Sequence, residues 1–196
     1  MMEQLRNLPI GIQTFEDIRK GSFLYVDKTD MIYQIVHAGK PYFLSRPRRF
    51  GKSLLISTFE AYFQGRKELF EGLAIEKLEK EWIEYPVLHL DLNAEKYDST
   101  SRLESMLARH LNLWEDVWGR EEREVTLSDR FIGIIRRAYE QTGKQVVVLI
   151  DEYDKPLLQA LLDDGLLEEY RRILKSFYGV LTVSYTHLTL PTNSRV

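Results

Sequence analysis

The uninterrupted apolar run VVVLI at residues 146–150 constrains the fold more than any other segment. A half-exposed strand alternates apolar and polar residues, whereas a run of mainly β-branched residues predicts a strand buried on both faces of a parallel sheet. Parallel strands need long crossover connections, usually helices, so the run predicts an α/β fold. Asp151 and Glu152 follow it directly, at the carboxyl edge where open α/β sheets bind ligands.

Other segments of the chain alternate between helical and strand patterns, which favours three layers with a parallel sheet in the middle. Ser or Thr followed three residues later by an acid predicts helix starts at Thr14, Ser101 and Thr126. The predicted helices cover residues 13–20, about 52–63, the two segments opened by Ser101 and Thr126, and 155–178 with a break near Gly165. A further predicted helix is capped by Asp27 or Thr29, carries apolar residues between positions 31 and 36 and stops at Gly39. The predicted strands are 23–26, 41–44, 86–92 with Val87 facing inward, and 146–150.

Composition excludes several classes of protein. The chain of 196 residues has no cysteine, which excludes a disulfide scaffold, a Cys-ligated metal and a thiol nucleophile. Lys and Arg total 27 against 30 Asp and Glu, so a net charge of −3 gives no overall basic field for nucleic acid. No apolar run is long enough to span a membrane, and the first residues lack the apolar core of a signal peptide. We therefore expect a cytoplasmic protein with no membrane partner.

The segment SRPRRFGKS at residues 45–53 lies between a predicted strand and a predicted helix. A phosphate-binding loop needs this arrangement, because the N–H groups and positive dipole end of the helix face the anion. The usual pattern is G-x-x-x-x-G-K-[ST]; Gly51, Lys52 and Ser53 match it, and Arg46 replaces the first glycine. In this interpretation Gly51 permits close backbone approach, Lys52 contacts the β- and γ-phosphates, and Ser53 binds Mg²⁺.

The same segment holds the densest basic cluster of the chain, formed by Arg46, Arg48, Arg49 and Lys52. Contact with nucleotide phosphates is the simplest interpretation, while nucleic-acid contact and a solvated loop are alternatives. The predicted nucleotide-binding residues are Arg48, Arg49, Phe50, Gly51, Lys52, Ser53 and Leu54.

The acid pair at the end of the VVVLI run has the form of a Walker B element. Asp151 is expected to hold Mg²⁺, directly or through water, and Glu152 to polarise an attacking water. An apolar run ending in two acids also occurs where a strand leads into a solvated turn. The pair together with the upstream GKS segment predicts a site for ATP and Mg²⁺.

Several segments together closely resemble the AAA-ATPase-like family of bacterial and archaeal proteins, which commonly carry a C-terminal PD-(D/E)XK nuclease-type domain. They include LPIGIQTFEDIR, YFLSRPRRFGKSLLISTFEAYF and VVVLIDEYDKPLL, and the resemblance extends over residues 8–181. It implies a three-layer P-loop ATPase of the additional-strand, catalytic-glutamate branch, with Glu152 as the base. It also implies a possible nucleic-acid partner through the nuclease-like domain. The coupled process and the oligomeric state stay open.

The last residues, 183–196, read VSYTHLTLPTNSRV, with no acid and one Arg. They look like a translated sequencing adapter, and the alternative is a genuine Thr-rich strand and tail. We expect residues 1–182 to be the N-terminal part of a longer ATPase domain, with an incomplete sheet and no activity of its own. The sensor strand of this branch would start just after Leu181, and the β-prone residues 180–188 are expected to occupy its place beside the strand ending in Asp151.

Three alternatives remain at this level. The chain is either part of a Mg²⁺-dependent ATPase or a nucleotide-sensing or nucleic-acid-binding module without hydrolysis, and turnover of ATP would discriminate between the two. Residues 27–29 either contact adenine or end a strand and cap a helix. Trp114 and Trp118, four residues apart, either pack a helix or form a base-stacking platform.

Overall fold

The computed structural model of the chain describes residues 6–38, 42, 44, 50–93, 96–183 and 188–189. The described residues form two compact units, 6–87 and 88–189, which are treated separately below. The fold mixes helices with a small parallel sheet whose strand order is β1-β2-β3. The helices are α1 (Phe15–Lys20), α2 (Thr29–His37), α3 (Lys52–Phe63), a 3₁₀ turn (Lys67–Phe70), α4 (Ala74–Leu78), α5 (Thr100–Trp118), α6 (Leu127–Thr142), α7 (Lys155–Gln159) and α8 (Asp164–Val183). The strands are β1 (Val87–Asp91), β2 (Val146–Asp151) and β3 (Leu188–Thr189). None of the helices in these ranges is both long and apolar enough to span a membrane.

The first unit is built around aromatic side chains from helices and from the 3₁₀ turn. Phe15 and Phe70 are fully buried, and their ring centroids lie 4.8 Å apart. The predicted start of α1 is confirmed, because the Thr14 hydroxyl accepts the N–H of Asp17. The backbone N–H of Phe15 then donates to Ser57 Oγ at 2.9 Å, which attaches α1 to α3.

A bidentate ion pair joins α1 to the segment after α3. Arg66 donates to the two carboxylate oxygens of Glu16 at 2.6 and 2.7 Å. The hydrogen bonds from Arg66 lower the pKa of Glu16 to about 2. The contribution of this pair to stability is therefore present above the ordinary pKa of 4.5 and is lost as the pH falls towards 2.

We predict that Arg66→Gln flattens the pH dependence of stability between pH 4.5 and 2, because Glu16 then keeps only its contact with Lys20 and its pKa lies closer to the unfolded value. Urea unfolding of the variant and the wild type at several pH values in this window measures the difference. Parallel profiles for the two proteins would contradict the prediction.

The predicted strand at residues 23–26 is wrong, since the segment is irregular. Its Leu24 N–H donates to the carbonyl of Asn7 at 2.8 Å, while the side chains of Leu24 and Val26 are exposed. An apolar segment becomes a strand only when a neighbouring strand accepts its ladder of hydrogen bonds. The predicted strand at 41–44 and the stop at Gly39 fall largely outside the described residues.

The sheet of the second unit confirms that residues 146–150 form a strand buried on both faces. Five of the six residues of β2 are buried, as a strand covered on both faces requires. Leu92, just after β1, donates its N–H to the carbonyl of Asp151 at 3.2 Å, so the carboxyl ends of β1 and β2 are adjacent. The prediction that Val87 faces inward was wrong by one residue. Leu88 and Leu90 are fully buried, and Val87 is only half-buried.

The end of the chain contributes a short strand. Val146 and Val147 of β2 pair in parallel with Leu188 and Thr189 of β3. The expected strand beside β2 is thus present at these two residues, whereas residues 181–183 continue α8 instead of starting that strand.

Three helices of the second unit share an aromatic core. The ring of Phe131 on α6 lies 5.6 Å from that of Trp114 on α5 and 4.7 Å from that of Phe177 on α8. Trp114 therefore packs against a neighbouring helix, which supports the packing interpretation over a base-stacking platform. The capping box of Thr126 and Asp129 is confirmed at the start of α6.

Two predicted helix boundaries differ from the structure. The Ser101 start of α5 is wrong, because Ser99 is the N-cap and forms no side-chain cap bond. The break in the last helical segment spans residues 160–163, so Gly165 lies inside the first turn of α8 instead of at the break.

Gly133 of α6 gives a test of close packing. A methyl group on it would lie 1.7 Å from Glu124 Oε1, and the buried Glu124 carboxylate is ion-paired with Arg137. We expect Gly133→Ala to lower the free energy of unfolding by about 1–3 kcal/mol, because displacing the carboxylate costs more than the roughly 1 kcal/mol that Ala gains in a helix.

Gly179 of α8 is the matched control, because in the described part of the chain no atom outside its own helical turn lies within 4 Å of the methyl that Gly179→Ala would add. This variant should stabilise the chain by about 0.5–1 kcal/mol. Urea denaturation compares the two variants, and a shift of the same sign for both would contradict the packing argument.

Candidate functional site

The GKS segment forms the amino-terminal end of α3 in the first unit. Gly51 is the N-cap residue and has the left-handed conformation, with φ +73° and ψ 27°. Its carbonyl accepts the N–H of Leu55 at 3.0 Å, which closes the first helical turn. Among the described residues, no atom beyond the chain neighbours of Gly51 lies within 4 Å of the position that a Cβ on it would take. These residues leave the backbone here open to close approach by another molecule.

Lys52 and Ser53 are the first two residues of α3, and both are half-buried. The first N–H groups of an α-helix have no partner inside the helix, and the dipole makes this end positive. This arrangement suits an oxyanion. Phe50 is exposed and Leu54 is half-buried, while Arg46, Arg48 and Arg49 lie outside the described residues.

Asp151 lies at the carboxyl end of β2 in the second unit, and only 6% of its surface is exposed. Its Oδ1 accepts the N–H of Glu152 at 2.9 Å. Within the described part of the chain, no Lys, Arg or His pairs with this carboxylate. Buried carboxylates are normally paired with a cation or coordinate a metal ion, so this one is suited to bind a cation.

The described residues contain no group of three or more His, Asp or Glu side chains arranged to hold a metal ion. Mg²⁺ in nucleotide sites is commonly held by one or two protein ligands together with phosphate oxygens and water. Asp151 fits that kind of site by its chemistry.

Glu152 has an unusual backbone for a residue with a side chain. Its φ is +53°, and among the described residues only Ser22 shares a positive φ without being glycine. The left-handed conformation costs about 1–2 kcal/mol for such residues. Such strained residues persist only where the surrounding structure maintains them, and they cluster at functional sites. The carbonyl of Glu152 accepts the N–H of Lys155 at 3.0 Å, so Glu152 begins a tight turn.

The residues after β1 form the neighbouring part of this sheet edge. The N–H of Asn93 donates to Asp91 Oδ1 at 2.7 Å, and Lys155 Nζ donates to Asn93 Oδ1 at 3.1 Å and to its carbonyl. His110 contacts the carbonyl of Asp91 at 3.2 Å, and burial lowers the pKa of His110. Asn93 and Lys155 are not among the site residues predicted from the sequence, although polar residues directly after a strand were the available signal.

The segment at residues 27–29 has a structural role in the first unit. Asp27 Oδ1 accepts the N–H and the hydroxyl of Thr29, and Oδ2 accepts the N–H of Ala74 at 2.7 Å. Thr29 Oγ1 in turn accepts the N–H of Ile75 at 3.1 Å. These bonds connect the start of α2 to the start of α4, which supports the helix-cap interpretation over adenine contact.

The structure thus brings the predicted site residues together in two sets. Gly51, Lys52, Ser53 and Leu54 adjoin one another at the start of α3, and Asp151 adjoins Glu152 at the end of β2. The first set belongs to one compact unit and the second set to the other.

Comparison with known proteins identifies the family of this chain. A family model described as "Predicted AAA-ATPase" matches residues 9–190. The chain belongs to this family. The match of the AAA-ATPase-like family includes both sets of residues and extends past residue 183, into the segment interpreted from the sequence as a non-native tail.

One curated relative of this AAA-ATPase-like chain is an uncharacterized protein in the vnfD 5′ region of Azotobacter chroococcum mcd 1. It is 39% identical over 184 residues, which are 93% of this chain and 36% of the relative. The chain therefore spans about a third of the length of that relative. Comparison with solved structures gives no significant match.

Proposed function

We propose that this AAA-ATPase-like chain binds ATP together with Mg²⁺, and that it hydrolyses ATP as part of a longer protein. The observation that carries the proposal is the end of β2, where a buried carboxylate without a cationic partner in the described residues precedes a glutamate held in a strained turn. Membership of a predicted AAA-ATPase family supports nucleotide use.

The start of α3 supplies the phosphate-binding groups in this proposal. The open left-handed Gly51 permits approach of a phosphate to the backbone, and Lys52 neutralises the β- and γ-phosphates. Ser53 would ligate Mg²⁺ through its hydroxyl. Arg48, Arg49, Phe50 and Leu54 flank these residues and complete the proposed nucleotide-binding segment. The corresponding fold is the three-layer P-loop architecture of the catalytic-glutamate branch, of which this chain has part of the sheet.

Asp151 and Ser53 would hold the metal, whose charge stabilises the phosphate oxygens during the reaction. The burial of Asp151 supports this role, since buried carboxylates are normally paired with a cation or coordinate a metal ion. Phosphate oxygens and water would complete the ligand set.

Glu152 would act as the general base. Its carboxylate accepts a proton from water as the water oxygen forms a bond to the γ-phosphorus. The bond between that phosphorus and the β–γ bridging oxygen breaks, so that ADP and inorganic phosphate leave. In the longer protein this turnover would be coupled to another process, for which a downstream nuclease-like domain would offer nucleic acid as a partner.

Gly51→Ala tests the phosphate-binding part of the proposal. A methyl at this position meets no side chain of the described residues but stands where the backbone would meet a phosphate, so we expect the Kd for MgATP to rise roughly tenfold or more. Isothermal titration of the chain with MgATP measures this affinity.

Gly72→Ala is the matched control, because Gly72 in the same unit has φ +76° and equally open surroundings. Both substitutions carry the same backbone strain, so their effects on stability should agree while their effects on ATP binding differ. Equal ATP affinity in the two variants would count against phosphate binding at the start of α3.

A further inference from the structure

The turn that carries Glu152 is attached to the end of the neighbouring strand by one side chain. Lys155 donates its backbone N–H to the carbonyl of Glu152 at 3.0 Å, which closes the turn. The ammonium group of the same residue donates to the backbone carbonyl and to Oδ1 of Asn93, directly beyond β1. One residue therefore connects the turn after β2 with the segment after β1.

Asn93 is itself held in place at the end of β1. Its N–H donates to Asp91 Oδ1 at 2.7 Å, and the preceding residue, Leu92, donates to the carbonyl of Asp151 at 3.2 Å. The acceptor atoms that Lys155 contacts thus belong to a segment already attached to the end of β2. The contact closes a ring of covalent and hydrogen bonds that runs through Asp151, Leu92, Asn93, Lys155 and Glu152.

The strained residue at φ +53°, Glu152, is a member of this ring. Backbone strain of that kind persists only where the surrounding bonds maintain it. The N–H of Glu152 is bound by Asp151 Oδ1, and its carbonyl is bound by Lys155. Both flanking peptide groups of Glu152 are therefore held by members of the ring.

We infer that Lys155 and Asn93 are positioning residues that hold the Glu152 carboxylate in place for its role as base. The inference rests on the proposed function, because it assigns a task to residues that support Glu152. A general base is effective only within hydrogen-bond reach of its proton, and a displacement of about 1 Å can lower the rate by about a hundredfold.

A second contact between the same two segments offers a matched control. Gln159 of α7 accepts the backbone N–H of Tyr97 at 2.7 Å through Oε1. This contact also joins the segment after β1 to the helix after β2, but it is not part of the ring that contains Glu152. Loss of the Gln159 contact should loosen the two segments without moving the turn.

The test compares steady-state ATPase kinetics of the full-length protein with those of four single variants. Lys155→Met is expected to lower kcat by about ten- to a hundredfold with the KM for ATP unchanged within about twofold. Gln159→Leu should leave both constants near the wild-type values, and Lys155→Arg should recover part of the lost kcat. Asn93→Ala removes one acceptor of the contact at an exposed position and keeps the test available if Lys155→Met fails to fold.

The double variant Glu152→Gln/Lys155→Met should be no slower than Glu152→Gln alone, because Lys155 acts through Glu152. A Lys155→Met variant with unchanged kcat, or one with a raised KM for ATP, would overturn the inference. Failure of the proposed function is a separate result, in which Glu152→Gln itself hydrolyses ATP at the wild-type rate.

Discussion

Glu152→Gln in the full-length protein is expected to lower kcat for ATP hydrolysis by about 10²–10⁴-fold, the usual contribution of a general base. The amide is close in size to the carboxylate but cannot accept the proton of the attacking water. Because Glu152 lies beyond a buried strand and contributes to no phosphate contact in the proposal, ATP affinity should stay near the wild-type value. Single-turnover hydrolysis and equilibrium ATP binding measure the two quantities.

Glu168→Gln is the control for the loss of one negative charge. Glu168 lies on the exposed surface of α8, where it pairs with Arg171, and exposed pairs contribute little. Hydrolysis should be unaffected by this change. If the wild-type full-length protein binds ATP without turnover, the alternative of a nucleotide-sensing module is favoured over the ATPase.

Arg130→Met is expected to cause the largest loss of stability, about 3 kcal/mol, because it removes both hydrogen bonds to the buried Glu115 carboxylate and leaves only the contact with Arg120 at 3.8 Å. Arg130 donates to the two carboxylate oxygens of Glu115 at 2.7 Å and also to Asn112 Oδ1 at 2.5 Å. The side chains of Arg130 and Glu115 are only 8% and 9% exposed. Urea denaturation of the chain gives the change in the free energy of unfolding.

Arg172→Met is the matched control on α8. Arg172 also donates to a glutamate oxygen at 2.7 Å, that of Glu169, but both side chains are largely exposed. We expect no measurable change in the midpoint of unfolding, because water replaces the partner of an exposed charge. Similar losses for Arg130→Met and Arg172→Met would show that burial does not determine the strength of these pairs.

The elements that could be predicted from sequence are those defined by short-range bonds or by a uniform environment. Thr14 and Thr126 accept the N–H of the residue three positions on, so their capping role is encoded locally. The run at 146–150 could be recognised because every side chain of a fully covered strand is apolar. Ser101 shows the limit of this approach, since α5 begins at Ser99, which has Arg102 instead of an acid three residues later and forms no side-chain cap bond.

Predictions that depended on a distant neighbour were less successful. Residues 23–26 have strand composition, yet the structure gives them no strand ladder, and β1 turns Leu88 and Leu90 inward where Val87 was expected. The alternation of β1 did contain this information, because Leu88, Leu90 and Leu92 share one side of the strand while His89 and Asp91 lie on the other side with Val87. The expectation for Val87 was wrong because it followed one apolar residue instead of the whole pattern.

The candidate site shows the same division. The sequence by itself determined the chemistry: a glycine, lysine and serine at the start of a helix, and two acids at the end of a buried strand. Only the tertiary structure decided the burial of Asp151, the left-handed turn of Glu152 and the contact of Lys155 with Asn93. That contact joins residues 62 positions apart, and packing of the sheet brings them together. A local pattern specifies which groups are present, whereas the conformation of a strained residue depends on bonds from parts of the chain that only the fold makes adjacent.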